Sequence, residues 1–133
     1  MKSFVLDASA VLRFADNEAG ADRVQDLIDL AEAKAAKLYM SPMNWGEVVY
    51  SLLRHARRAT ADQLKRALHL TFPAVEENDA AMAGQLKQRT NLAYADCFAA
   101  SLADGLSATL VTADDDFKSL SSNLDIEFLP KKP

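Results

Sequence analysis

The sequence predicts an α/β fold in which a central, mainly parallel sheet of four or five short strands is covered by helices on both faces. Short runs of β-type residues alternate along the chain with longer runs whose apolar residues recur at helical spacing, and that alternation assembles into parallel sheets. The chain has 133 residues, of which 50% are hydrophobic, the size of one compact domain spanning 1–133 with a core of its own.

The elements follow in order. "SFVL" (3–6) reads as a buried strand ending at Asp7, and "SAVLRFA" begins a helix. Residues 19–37 form a long helix, with Val24, Leu27, Ile28 and Ala31 on one face and Asp16 or Asn17 near its start. "LYMS" (38–41) is a second strand, stopped by Pro42. Asn44 opens a helix with the stripe Trp45, Val48, Val49, Leu52, Leu53 and Ala56, and Asn44-x-x-Glu47 has the form of a capping box. Thr60-x-x-Gln63 is a second capping box, opening a helix to about Leu70. "PAVEE" (73–77) suits a short edge strand that begins at proline. A helix over 79–89 is followed by another from Leu92, which Gly105 closes. "ATLVT" (108–112) and "IEFL" (126–129) are the last strands, and the tail "PKKP" is expected to fray.

Composition excludes several classes of protein. A formal charge of −4 argues against binding nucleic acid through bulk positive charge. Cys97 is the only cysteine, so no intramolecular disulfide can form, and a small buried hydrophobe in a reducing, cytoplasmic setting is the expected role. "MKSFVLDASAVL" is not a signal peptide, and no run approaches the roughly 18 apolar residues of a membrane span. One Cys and two His suggest no zinc site, and four Gly spell neither a P-loop nor a dinucleotide fingerprint.

The acids carry the functional signal. In a parallel sheet, ligands bind beyond the carboxyl ends of the strands. Asp7 follows the first strand directly, and Asp114 and Asp116 follow "ATLVT" closely. Glu47 lies in the first turn after "LYMS", and Asp96 sits on the apolar stripe of "LAYADCFAASLADG" with Leu92, Ala95, Ala99, Leu102 and Ala103. Taken singly, Asp7 reads equally well as a helix cap, Glu47 as the capping partner of Asn44, and the acids of "TADDDF" as caps of a short helix. Asp96 fits neither a cap nor an exposed face. Two like charges about 4 Å apart repel by about 4 kcal/mol at an effective dielectric near 20, so converging carboxylates either take up protons or capture a cation. Oxygen donors alone favour magnesium or manganese, the setting for phosphodiester hydrolysis.

"FVLDASAVL", "SPMNWGEVV", "LAYADCFAASLA" and "LVTADDDF" together resemble, in order, the four acidic motifs of the PIN domain, and the compact length most resembles the VapC toxins of toxin–antitoxin pairs. The resemblance implies a magnesium-dependent endoribonuclease on a three-layer α/β/α sandwich, with manganese able to substitute. Asp7, Glu47, Asp96 and Asp114 match the acidic tetrad, and Asp116 an additional acid. Asp7, Asp96 and Asp114 would hold the metal, with Ser9 and Thr112 in support. It further implies an RNA substrate, a VapB-like antitoxin partner, a homodimer and a cytoplasmic location without membrane attachment. Without the five site acids the formal charge becomes +1, and Arg54, His55, Arg57, Arg58, Lys65 and Arg66 form a candidate phosphate track or an ordinary solvated helix face. The alternatives are a phospho-acceptor signalling domain, which leaves Asp96 unexplained, and a housekeeping RNA-processing nuclease without an antitoxin.

Overall fold

The computed structural model describes residues 1–133 except Ala56 and Arg58. Among these residues lie five strands, β1 (Lys2–Leu6), β2 (Ala36–Tyr39), β3 (Leu70–Thr71), β4 (Thr109–Thr112) and β5 (Ile126–Phe128). The helices are α1 (Ala8–Ala15), α2 (Ala21–Glu32), α3 (Pro42–Arg54), α4 (Ala61–Leu68), α5 (Glu77–Arg89) and α6 (Tyr94–Leu106), with a 3-10 helix at Asp115–Leu120 after β4.

All strand pairings are parallel, in the order β3-β2-β1-β4-β5. Alternation along β1 divides the interior in two. Phe4 and Leu6 join Val24, Leu27 and Ile28 of α2 and Leu38 of β2, whereas Val5 joins Phe98, Ala99 and Ala103 of α6 and Leu110 of β4. Both faces of the sheet are therefore covered, as the uninterrupted apolar strands require, and the expected α/β/α sandwich is the observed fold. Leu6, Leu27 and Leu38 are fully enclosed, each burial stabilising by about 1.5–3 kcal/mol.

This topology fixes where a site can lie. From β1 the chain winds outward to β2 and β3, then returns to place β4 on the other side of β1. The carboxyl ends of β1 and β4 thus flank the switch point, where diverging connections leave a crevice.

Several boundaries differ from the sequence expectation, each for a local reason. The long helix stops at Glu32, because Lys34 turns into the left-handed region (φ 59°) while the Ala35 N–H closes on the Leu30 carbonyl at 2.8 Å. Ala36 is thereby released into β2. The cap of α3 is Ser41, whose hydroxyl accepts from the Met43 N–H, with Pro42 in the first turn where its missing N–H loses nothing. The Asn44–Glu47 capping box is therefore not formed as a cap. The Thr60–Gln63 box is present, but α4 ends at Leu68 because His69 is left-handed (φ 52°). No strand forms at 73–77. Leu70 and Thr71 take the edge beside β2 instead, and Phe72 leaves it to meet Trp45 edge-on at 5.6 Å.

Helix α6 continues through Gly105 and closes at Ser107 (φ 51°). The tail is tied rather than frayed: Arg13 donates to the Pro130 carbonyl at 2.7 Å, and Lys131 and Lys132 pair with Asp115 and Glu18. Gly20 is required as glycine at the start of α2, since its φ is +94° and a Cβ there would lie 2.9 Å from Leu129 Cβ. Ala56, expected on the α3 stripe, lies outside the described residues. No helix among the described residues is long and apolar enough to cross a membrane.

Candidate active site

β1 runs into α1 with no loop between them, so Asp7 serves as the N-cap of α1 and is almost completely buried. One oxygen, Oδ1, accepts from the Ser9 hydroxyl at 2.7 Å and the Ala10 N–H at 2.9 Å, while Oδ2 accepts from the Thr112 hydroxyl at 2.5 Å. Thr112 ends β4 and is itself buried, so this bond crosses the switch point. The same Thr112 oxygen accepts from the Asp114 N–H at 3.0 Å, and Ser9 Oγ accepts from the Ala113 N–H at 2.9 Å. Each hydroxyl has one proton, and both protons are directed at Asp7. The Ser9–Thr112 contact at 3.2 Å is consequently an oxygen–oxygen neighbour within this network.

Asp114 caps the 3-10 helix, its Oδ1 accepting from the Asp116 N–H at 2.9 Å. That turn brings Asp116, which is exposed, back toward the sheet edge. Asp115 points elsewhere, to Lys131 and Lys118; the hydrogen bond from Lys131, aided by the charges of both lysines, holds its carboxyl below the usual range.

Asp96 lies in the first turn of α6, because the helix starts at Tyr94 rather than Leu92. The dipole of a helix favours an anion there, an ordinary stabilisation that the sequence reading did not give it. Burial and like charge outweigh that help. Desolvation first, then the charges of Asp114, Asp7, Glu47 and Asp116, push its carboxyl up to about 7. Desolvation also raises Asp7, to about 6, with Asp114 adding to it and the hydrogen bonds from Thr112, Ser9 and Ala10 opposing it. All five acids singled out in the sequence therefore share one electrostatic neighbourhood at the carboxyl edge of the sheet.

Glu47 is exposed on α3 and is steadied by Asn44, which is fully buried. Asn44 Nδ2 donates to Glu47 Oε1 at 3.1 Å and to the Ala95 carbonyl at 3.0 Å, linking α3 to the start of α6. Both partners are acceptors, which fixes the orientation of the amide. Its Oδ1 is buried without a hydrogen-bond partner among the described residues. In the sequence alone Asn44 reads as a cap, and this link to Ala95 is hidden; its signal is an amide one turn before a site acid, on the inward face of the helix.

Among the described residues, no three acids, histidines or cysteines already converge closely enough to enclose a metal ion. The donors are nonetheless all carboxylate oxygens with unneutralised mutual repulsion, next to an orphaned amide oxygen. Magnesium keeps several of its waters and can be held partly through them, so an open set of this chemistry fits a hard divalent cation.

The proposed cationic track is less coherent. Arg57 forms an ion pair with Asp16 and donates to Ser51 Oγ at 3.2 Å, while Lys65 lies 5.8 Å over the Phe72 ring. Arg54, His55 and Arg66 are exposed, and Arg58 lies outside the described residues.

The sequence matches the model of the PIN domain over residues 4–123. No curated protein matches it. Among solved structures it is similar to VapBC2 from Rickettsia felis bound to a DNA fragment from their promoter, at 19% identity and a TM-score of 0.69, covering 96% of this chain and 99% of that one. It is also similar to VapC20 of Mycobacterium tuberculosis, a sarcin-ricin loop cleaving toxin, at 16% identity and a TM-score of 0.71, with the same coverage of 96% and 99%. A third is PAE2754 from Pyrobaculum aerophilum, at 17% identity and a TM-score of 0.67, covering 94% and 89%. With its family model spanning nearly the whole chain, this protein belongs to the PIN-domain family.

Proposed function

We propose that this chain is a divalent-metal-dependent endoribonuclease of the VapC type, the toxin of a toxin–antitoxin pair. The observation that carries the reading is the electrostatic convergence of Asp7, Glu47, Asp114 and Asp116 on Asp96. A structural neighbour that is a sarcin-ricin loop cleaving toxin supports RNA as the substrate. Neighbours that are toxin–antitoxin complexes support an antitoxin partner.

Asp7, Asp96 and Asp114 would hold magnesium, with manganese able to replace it. When bound, the ion supplies Lewis acidity toward the phosphate and lowers the pKa of a coordinated water. The chain supplies the positioning. Three hydrogen bonds fix both oxygens of Asp7 before any ligand arrives, and Thr112 sets Asp114 through its N–H. Asn44 holds Glu47 against the start of α6. Asp116, exposed at the rim, completes the negative wall. Hydrolysis adds water across one P–O bond and leaves a 5′-phosphate and a 3′-hydroxyl, with the ribose 2′-hydroxyl a spectator.

In this reading the antitoxin silences the site with an Arg that bridges two of the carboxylates, and the chain works as a homodimer in the cytoplasm. The test is cleavage of total RNA by purified protein with manganese or with chelator, followed by sequencing of the new 5′ ends. Manganese-dependent cuts bearing 5′-phosphate, absent from Asp96→Asn, are the expected result. Cutting that persists in chelator, or products with a 2′,3′-cyclic phosphate, would overturn it.

A further inference from the structure

Beside the acid edge a cleft of about 800 Å³ runs between the end of α5, one side of α6 and the 3-10 helix. Asp116 belongs both to its lining and to the acids whose charge bears on Asp96, so the cleft and the proposed site adjoin at Asp116. Leu86, Leu92, Ala100 and Leu120 give it an apolar floor. Gln85, Asn91 and Asn123 bring three side-chain amides to it, and Arg89 one cation. Among the described residues, the Gln85 and Asn91 amides make no hydrogen bond and Arg89 makes no ion pair. Asn123 accepts only from the adjacent Ser122 hydroxyl, at 2.7 Å.

The lining limits what can fit. Ligand sites run from about 300 to 1,000 Å³, which admits a nucleotide and excludes a folded partner. The lining holds two carboxylates, Asp104 and Asp116, against the single cation Arg89, so a run of phosphates would be repelled. A nucleobase is neutral, presents a flat apolar face to the floor, and offers donors and acceptors at its edge that an amide can meet in pairs. One phosphate is still accommodated at Arg89.

We infer that this cleft holds one unpaired nucleotide of the RNA next to the cut, its base read by Asn91 and Asn123 and its phosphate met by Arg89. The inference rests on the nuclease reading and adds a place where sequence is chosen. Proteins select sequence in RNA mainly from bases that are splayed out of a helix, and this site would take one such base.

The test compares the parent with the double variant Asn91→Ala/Asn123→Ala, after circular dichroism has shown that both fold. Fluorescent single-stranded RNA that contains a cut site is titrated onto metal-free protein, and cleavage is then measured with manganese. The variant should bind the RNA roughly 10-fold more weakly, with KM raised by a similar factor, kcat changed little, and preference relaxed at one position beside the cut. Ser101→Phe, which fills the cleft from α6, should reproduce the loss of binding. If the parent binds RNA through these residues but cuts nothing, the nuclease reading falls and the nucleotide site stands. Unchanged RNA binding by the variants, or no RNA binding by the parent, would overturn the nucleotide site.

Discussion

The acids of this site are held in two different ways. Asp7 and Asp114 sit where strands end, and a shared threonine hydroxyl, a serine hydroxyl and backbone N–H groups fix them. Asp96 sits in the first turn of α6 and Glu47, which the sequence placed in a first turn, in the second turn of α3 because that helix already starts at Pro42; the one side-chain amide that steadies Glu47 makes no bond to the Asp96 carboxyl. Asp7 is the more deeply buried, yet its carboxyl is raised only to about 6, whereas that of Asp96 is raised to about 7. The comparison separates two effects that burial alone would merge. Hydrogen-bond donors offset desolvation at Asp7, and nothing comparable offsets desolvation and four like charges at Asp96. The strand side is a preset frame, and the helix side is where the charge of the site is left uncompensated.

The largest effect expected from this difference is at Asp96. Asp96→Asn should abolish cleavage and at the same time stabilise the metal-free protein. Because folding raises this carboxyl from 3.8 to about 7, the folded state binds the proton more tightly than the unfolded chain. The metal-free parent therefore loses stability as pH climbs through that window and no further above it. The gain from Asp96→Asn should be nil near pH 4 and full above pH 7, read from chelator melts. Destabilisation at every pH would mean that the carboxylate is a structural element like Asp7.

Thr112→Val probes the strand side. It deprives Asp7 of a buried donor and the Asp114 N–H of its acceptor, at about 1–3 kcal/mol in a chelator melt. Activity should fall by roughly 10–100-fold, the usual cost of losing a group that orients a ligand. Thr112→Ser should recover most of both. Equal melting of Thr112→Val and the parent would show that the frame is not preset.

Asn44→Ala should act more weakly on cleavage, by about 10-fold or less, since Glu47 is exposed and keeps its charge. Fully buried Asn44 also satisfies the Ala95 carbonyl, so a loss of about 1–3 kcal/mol is expected on melting. Lys131→Ala is the smallest. Its solvent-exposed pair with Asp115 is screened by water, so the melt should hardly move, and cleavage should be unchanged, because Asp115 pairs with lysines rather than joining the other acids.

The two kinds of support differ in how far the sequence reveals them. The parallel sheet and its buried strands follow from local apolar runs, and Asp7 and Asp114 follow from their place just after such runs. The Thr60–Gln63 capping box was legible for the same reason, since both partners lie within one turn. What stayed hidden depends on partners distant in sequence. Asn44 looks like a cap until Ala95, fifty-one residues away, receives its N–H. Likewise β3 at Leu70–Thr71 exists because β2 offers a free edge, not because two residues carry a strand signal. Left-handed turns at Lys34, His69 and Ser107 carry no glycine, so the ends of three helices left no mark in the sequence. The amides of the α5–α6 cleft were invisible until helix packing gathered them.

Metal binding tests the central claim most directly. A ligand that binds only the folded state raises its stability by RT ln(1 + [L]/Kd), so thermal melts at pH 8 with chelator and with manganese report whether the acids form a cation site. The parent should gain several degrees with manganese and Asp96→Asn much less, so that the variant melts above the parent in chelator and the gap closes or reverses with the metal. Equal shifts in the two proteins, or no shift in the parent, would contradict the account.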